Sequence, residues 1–315
     1  MSVVRQLSQK AWIWSFAGFF LVWFVTAVYT GGKGSADILT AALSFATFTV
    51  IVGIGQMFVI TTGPGNVDLS IPSTISLSGA VAMKIMDGSN GMLPVGFAVS
   101  MVCGLAVGVF NYMLIRVLRI PPIIATLSSS FLILSTAIAY GRGLKIKPPP
   151  LLAEFTTAQV LGVPVLAIVI ILFAAVMSVV LNRTFYGRSV LAIGQNSRAA
   201  WLAGINVERI RFMTYVLSAL LAALCGFLLS GFSGGASLNM GQEYLLASIA
   251  VVVIGGTSVA GGKANVPGIW GAAMFMFLLV TMLNTFGASA GIRLILTGLI
   301  IVAVITIAGG DEPQR

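Results

Sequence analysis

Two stretches of the chain carry the residue types from which a membrane-embedded polar site or a phosphate-binding loop is built. In VITTGPGNVDLSIPSTISLSG, residues 59–79, Gly63, Pro64 and Gly65 stop an apolar run, Asp68 and Ser70 follow, and Pro72 opens a new run. Irregular backbone at membrane depth is tolerated only where protein buries it or a cavity borders it, and an acidic side chain there is a functional-site candidate by default. Asp68 therefore has two readings: a pathway or gate residue, or a carboxylate that caps the following helix or sits at the membrane surface. Pro72 suits the first turn of that helix. In VVVIGGTSVAGGKANVPGIWGAA, residues 251–273, the glycine pairs 255–256 and 261–262 break another apolar run before Pro267 starts the next. The shared order of run, Gly-rich break, Pro and new run suggests an internal duplication, a plan met in transporters.

The second break is also the nearest approach to a nucleotide-binding loop. Such a loop needs Gly, four residues, Gly-Lys, then Ser or Thr. Gly262-Lys263 is present, but Thr257 stands at the first glycine position and Ala264 follows the lysine, so both outer requirements fail. The glycines are expected to serve close packing or a tight turn. Histidine is absent from the chain, which removes histidine-dependent catalysis and zinc–histidine sites. Neither H-E-x-x-H nor a paired-Cys cluster is present; Cys103 and Cys225 lie inside apolar runs as packed thiols. An enzyme is not expected, and no metal or cofactor is expected in the chain itself.

A third stretch, residues 183–211, is the one long mid-chain segment with repeated charge, from Arg183, Arg188, Arg198, Glu208, Arg209 and Arg211. Within it NSRAAWLAG, 196–204, reads as one short helix: Asn196 or Ser197 can cap its start, and Gly204 can end it in a left-handed conformation. Ala199, Ala200 and Ala203 recur at helical spacing as a face of small side chains that would let another protein approach. The alternative is a helix lying on lipid with Trp201 and Leu202 as anchors, a mode that usually shows a larger apolar face and more basic residues.

The elements that hold these stretches follow from composition. The 315 residues are 58% hydrophobic and 8% charged, with a mean hydropathy of +1.06, against about 45–50% apolar and a quarter charged for a soluble domain. A hydrocarbon core of about 30 Å demands helical runs of about 20 residues, because each backbone amide must be satisfied inside its own segment. The runs predict an all-α polytopic membrane protein of ten spans: 11–30, 39–61, 72–86, 94–115, 122–141, 163–182, 210–232, 244–260, 267–286 and 291–309. The basic N-terminus precedes a run too long for a signal peptide, so the first span is expected to be uncleaved. No hydrophilic segment is large enough for a second core, so 1–315 is expected to be one transmembrane domain.

The net charge of +9 comes from Lys and Arg scattered between runs, not from a basic stripe, so a nucleic-acid partner is not expected. Read as topology signals, they place Arg5, Lys10, Arg116, Arg119, Arg183, Arg188, Arg198, Arg209, Arg211, Lys263 and Arg315 on one side and Lys33, Lys84, Arg142, Lys145, Lys147 and Arg293 on the other. The more basic side is cytoplasmic, with both termini and the 183–211 loop. The outer connections are short except 143–162, where Pro148, Pro149 and Pro150 favour extended polyproline backbone followed by a short surface helix.

Four motifs in order resemble the permease subunits of ribose-type sugar ABC importers. GRSVLAIGQNSRAAWLAGINVERIRFMTYVLSALLAALCGFL, 187–228, is similar to their coupling-loop region, through Gly187, Arg188, Ala192, Gly194, Asn196, Ala199, Ala200, Gly204 and Ile205. VDLSIPS at 67–73 resembles their Gly-Ile-Asp-Leu-Ser motif, PPIIATLSS at 121–129 their Pro-Phe-Ile-x-Thr-Leu motif, and GGTSVAGGKANVPG at 255–268 their Gly-Gly-x-Ser-x-x-Gly-Gly motif. Asn66 and Pro72 stand where the family usually has glycine, and Pro122 where it often has phenylalanine.

The resemblance implies a non-catalytic permease in a bacterial inner membrane, paired with a second permease copy or homologue. ATP would be bound and hydrolysed by separate ATPase subunits, and a periplasmic binding protein would deliver a monosaccharide. Asn196, Arg198, Ala199, Ala200, Ala203 and Gly204 would then be ATPase-coupling residues. Asp68, Ser70, Thr126, Ser128, Thr257 and Ser258, all in the motif stretches, are the pathway or gate candidates. A permease for branched-chain amino acids or nucleosides, and a passive channel or structural subunit, are the alternatives.

Overall fold

A computed structural model describes residues 11–143 and 146–308; Arg5, Lys10, Lys145, Arg315 and both chain ends lie outside them. Among the described residues the chain is all-α apart from one two-residue-strand hairpin. The long helices are α1 (Ala11–Tyr29), α2 (Ser35–Thr61), α3 (Ile71–Met86), α4 (Leu93–Arg116) and α5 (Pro122–Gly141). After a short α6 (Pro150–Thr157) and the strands β1 (Gln159–Val160) and β2 (Val163–Pro164) come α7 (Val165–Arg183), α8 (Phe185–Gln195), α9 (Ser197–Leu202), α10 (Val207–Phe232), α11 (Tyr244–Ile254), α12 (Val266–Thr285) and α13 (Ala290–Ala308).

All ten expected spans are present as helices, most within a few residues of the expected ends, and among the described residues six are, by length and composition, long and apolar enough to cross a membrane. Two spans are short. At 1.5 Å per residue the 16 residues of α3 reach about 24 Å and the 11 of α11 about 16 Å, less than a hydrocarbon core. The irregular segments 62–70 and 255–265 adjoin these two short helices. The expected span 244–260 thus ends early, at Ile254. The reason is steric: a Cβ on Gly268, in the first turn of α12, would lie 1.9 Å from Gly255 O, so the two backbones cross there in contact.

Helix α10 lies against α2, α3 and α4, while α12 lies against α1, α2 and α11, so α2 is shared by both groups. Without a hydrophobic drive between helices in lipid, close approach through small residues does the work. Gly104 and Gly108, one turn apart on α4, show it: a Cβ on the first would meet Ala219 O at 2.8 Å, and on the second Val216 Cα at 2.6 Å. Phe48, Phe58, Met57 and Tyr215 are fully buried between these helices, whereas Phe20, Phe131 and Leu172 face outward as a hydrocarbon contact requires.

One end carries the salt bridge Arg116 Nε–Glu208 Oε2 at 2.8 Å, and at another place Lys84 Nζ stands 4.1 Å over the Tyr140 ring. Each contact joins residues expected on the same membrane side. In the 143–162 connection Pro149 is extended, but Pro150, expected to be extended as well, already opens the short helix α6. Leu152 packs at Gly231 of α10, and Leu151 N donates to Asn90 Oδ1 at 3.0 Å. The hairpin β1–β2 was not foreseen; its turn places Leu161 and Gly162 at positive φ, and Thr40 Oγ1 donates to Gly162 O at 2.9 Å.

Candidate functional site

Asp68 sits in the first break, and its carboxylate is buried and fully engaged. Oδ1 accepts from Ser70 N at 3.0 Å and Ser70 Oγ at 2.6 Å, an Asx turn that shapes the chain just before α3. Oδ2 accepts from Ser218 Oγ at 2.7 Å. Ser218 lies eleven residues past the start of α10, about 16 Å along its axis, so this contact is deep in the bundle. Asp68 N donates to Gln56 Oε1 of α2 at 3.1 Å. Ser70 Oγ in turn accepts from Asn111 Nδ2 of α4 at 2.7 Å, and Ser129 Oγ of α5 donates to Asn111 Oδ1.

Four helices, α2, α4, α5 and α10, are therefore tied to the segment 62–70 by polar groups that are buried. Thr126 adds to it: its Oγ1 accepts from Leu69 N at 3.1 Å and donates back to Pro122 O at 2.9 Å. Asn66 Oδ1 accepts from Tyr215 OH at 3.3 Å. Asp68, Ser70 and Thr126 are thus brought together in the interior of the chain. The reading of Asp68 as a residue at the membrane surface is corrected: it is 1% exposed. Ser128 faces outward on α5, one position from the buried Ser129. Gln56, Asn111, Ser129 and Ser218 belong to the network without having been singled out from sequence; a polar residue inside an apolar run is the signal each one carries.

Thr257 and Ser258 occupy the second break and do not join this network. Thr257 Oγ1 accepts from Asn265 N at 3.3 Å, and Ser258 N donates to Lys263 O at 3.0 Å, closing a tight loop. Asn265 then caps α12 by accepting from Gly268 N at 3.3 Å.

In the third stretch the short helix is present as read. Asn196 Oδ1 accepts from Ala199 N at 2.9 Å as the cap of α9, and Gly204 follows it at φ 86°. Preceding it, α8 was not anticipated; Thr184 caps it, and Gly187, Ser189, Val190 and Ile193 are its buried face. The face of small side chains needs correction. Ala200 is buried, 5% exposed, and points into the fold, so it does not share an outer surface with Ala199 and Ala203. Trp201 and Leu202 instead project, 65% and 71% exposed. Six residues at helical pitch cannot present every side outward when one side must rest on α8 and α10. Beside α9 opens a groove of about 630 Å³, lined by Ser197, Arg198, Trp201, Gly204, Ile205, Asn206, Val207, Glu208 and Arg211. Glu208 in it is held by Arg116 and by Tyr112 OH, which donates to its Oε2 at 2.8 Å.

The described residues thus hold a buried polar network, two broken spans and a short projecting helix on a charged segment. Residues 38–305 match the family described as branched-chain amino acid transport system / permease component. The chain belongs to this permease family. The permease is 33% identical over 294 residues to the fructose import permease protein FrcC of Rhizobium meliloti, covering 89% of this chain and 80% of that protein. It is 32% identical to the ribose import permease protein RbsC of Bacillus subtilis, over 81% of this chain and 79% of that one. With RbsC of Escherichia coli K12 the identity is 30% over 96% of both chains. No solved structure matches. The relatives agree with the ribose-type importer resemblance carried by the four motifs, and the multi-pass helical fold agrees with the family.

Proposed function

We propose that this permease forms the membrane pathway of an ATP-driven sugar importer in a bacterial inner membrane, with both termini cytoplasmic. Two permease subunits enclose the pathway, and a periplasmic binding protein delivers a monosaccharide. ATP is bound and hydrolysed by partner subunits that grip α9. The observation that carries this reading is the arrangement around α9: a short capped helix with Trp201 and Leu202 projecting beside a groove edged by Arg198, Glu208 and Arg211. Exposed aromatic and aliphatic side chains next to charged groups are what a protein partner uses as anchor and rim. A lipid-lying helix would present a longer apolar face. Small polar and apolar side chains suit a sugar pathway without charged readers, and Ser128, exposed on α5, is one such side chain.

Copurification of the ATPase in mild detergent with the wild-type permease, and its loss in Leu202→Asp, tests the docking. Retention of the ATPase by Leu202→Asp would count against α9 as the grip. The second reading, transport of branched-chain amino acids, is favoured by the description of the family model. Competition for uptake between labelled fructose or ribose and leucine separates the two.

A further inference from the structure

The two breaks and the coupling segment meet at one point, and that point is made of backbone. Gly262 N, in the second break, donates to Thr61 O, at the end of α2 where the first break begins, at 3.0 Å. Gly194, in the last turn of α8, lies against both: a Cβ on it would fall 1.9 Å from Thr61 O and 2.2 Å from Gly262 N. Gln195 Nε2 adds a bond to Gly262 O at 3.3 Å. Gly262 is at φ +75°, and a Cβ there would sit 2.8 Å from Gln195 N; Gly261, at φ +89°, would meet Gly63 Cα at 2.6 Å. Three chain segments thus touch main chain to main chain, with the Gln195 side chain bonded at the edge of the contact. A single residue, Asn196, separates this point from α9, and it is held at both ends: its N donates to Ala192 O of α8 at 3.0 Å, and its side chain caps α9.

We infer that Gly194 and Gln195 are positioning residues that transmit movement of α9 to both broken spans at once, through the Thr61–Gly262 contact. The inference rests on the docking of α9 proposed above and deepens it. Packed backbone has no rotamers to absorb a displacement, so a shift of α9 cannot be taken up between α8 and the two breaks. From Thr61 the push enters segment 62–70, which is joined to α10 through Asp68, to α4 through Ser70 and to α5 through Leu69 N by hydrogen bonds. From Gly262 it enters the start of α12. One input therefore repositions two gate-bearing elements together, where a side-chain contact would leave each free to respond alone.

The test is the ratio of sugar imported to ATP hydrolysed by the whole complex in vesicles, with binding protein and fructose or ribose inside the assay. Both quantities come from the same folded complexes, so loss of protein by itself leaves the ratio unmoved. Gly194→Ala, which must pry the joint open, is expected to retain ATPase binding and hydrolysis while the ratio falls about fivefold or more. Gln195→Ala, at an exposed side chain whose removal leaves the packing intact, is expected to lower it about twofold or more. If Gly194→Ala does not assemble, Gln195→Ala decides alone. An unchanged ratio in the variant that assembles overturns the joint while leaving docking intact. A wild-type permease that retains no ATPase overturns the docking reading, and the joint falls with it.

Discussion

Ser218 Oγ donates to Asp68 Oδ2 across 2.7 Å, tying the irregular segment that precedes α3 to the middle of α10. A carboxylate buried to 1% exposure depends on such donors. Removing one leaves an acceptor short of a partner in a region that water does not easily reach.

Ser218→Ala should therefore destabilise the permease by about 1–3 kcal/mol, the cost of an unsatisfied buried polar group. Thermal unfolding in detergent measures it. Asp68→Asn should show the same order of loss, and the double variant should lose less than the sum, since the two residues share one bond. Additive losses would mean that the contact contributes nothing. Asp68→Asn with normal uptake and protein level would assign the carboxylate to structure alone.

Ala200 and Leu202 lie two positions apart on α9 and should behave oppositely. Ala200→Arg forces a charge against the buried side of the helix and should lower the unfolding temperature, with a cost of several kcal/mol for an unpaired buried ion. Leu202→Asp, at an exposed site, should leave stability within about 0.5 kcal/mol. The two unfolding curves, recorded on purified permease without partners, check this directly.

Asn196→Ala removes the cap of α9 and should cost about 1 kcal/mol, whereas Asn196→Ser or Asn196→Asp should cost less, because either side chain can accept from the Ala199 amide. Hydrogen exchange at residues 197–202 would report it as lost protection confined to α9. Equal protection in Asn196→Ala and wild type would remove the cap from the account.

Gly268→Ala should impair folding outright. Its Cβ would stand 1.9 Å from Gly255 O, and the obstacle is backbone that cannot rotate away. Overpacking of ordinary side chains costs about 1–3 kcal/mol, and this case should exceed that range. Yield of monodisperse protein is the measurement; a normal yield would mean that α11 and α12 can separate at no cost.

Much of the architecture could be read from local properties of the chain. Apolar run length set the ten helices, since a run either spans hydrocarbon or it does not. Pro72 and Pro122 marked helix starts, and Asn196 and Gly204 bounded α9, because capping is settled among residues a few positions apart. The breaks at 62–70 and 255–265 were visible for the same reason. Family motifs added the transport reading, and the relatives support it.

What the tertiary structure alone decided concerns residues distant in sequence. Whether Ala200 or Trp201 faces out depends on how α9 leans on its neighbours, which six residues of pattern do not encode. Asp68 and Ser218 are 150 positions apart, and nothing local announces that one serves the other. Gly194 reads as one of 36 glycines until Thr61 and Gly262 are brought against it. The physical reason is common to all three. Hydrophobic run and cap are properties of a segment in its solvent, but the satisfaction of a buried carboxylate and the absence of a Cβ acquire meaning only from the atoms that the fold packs around them.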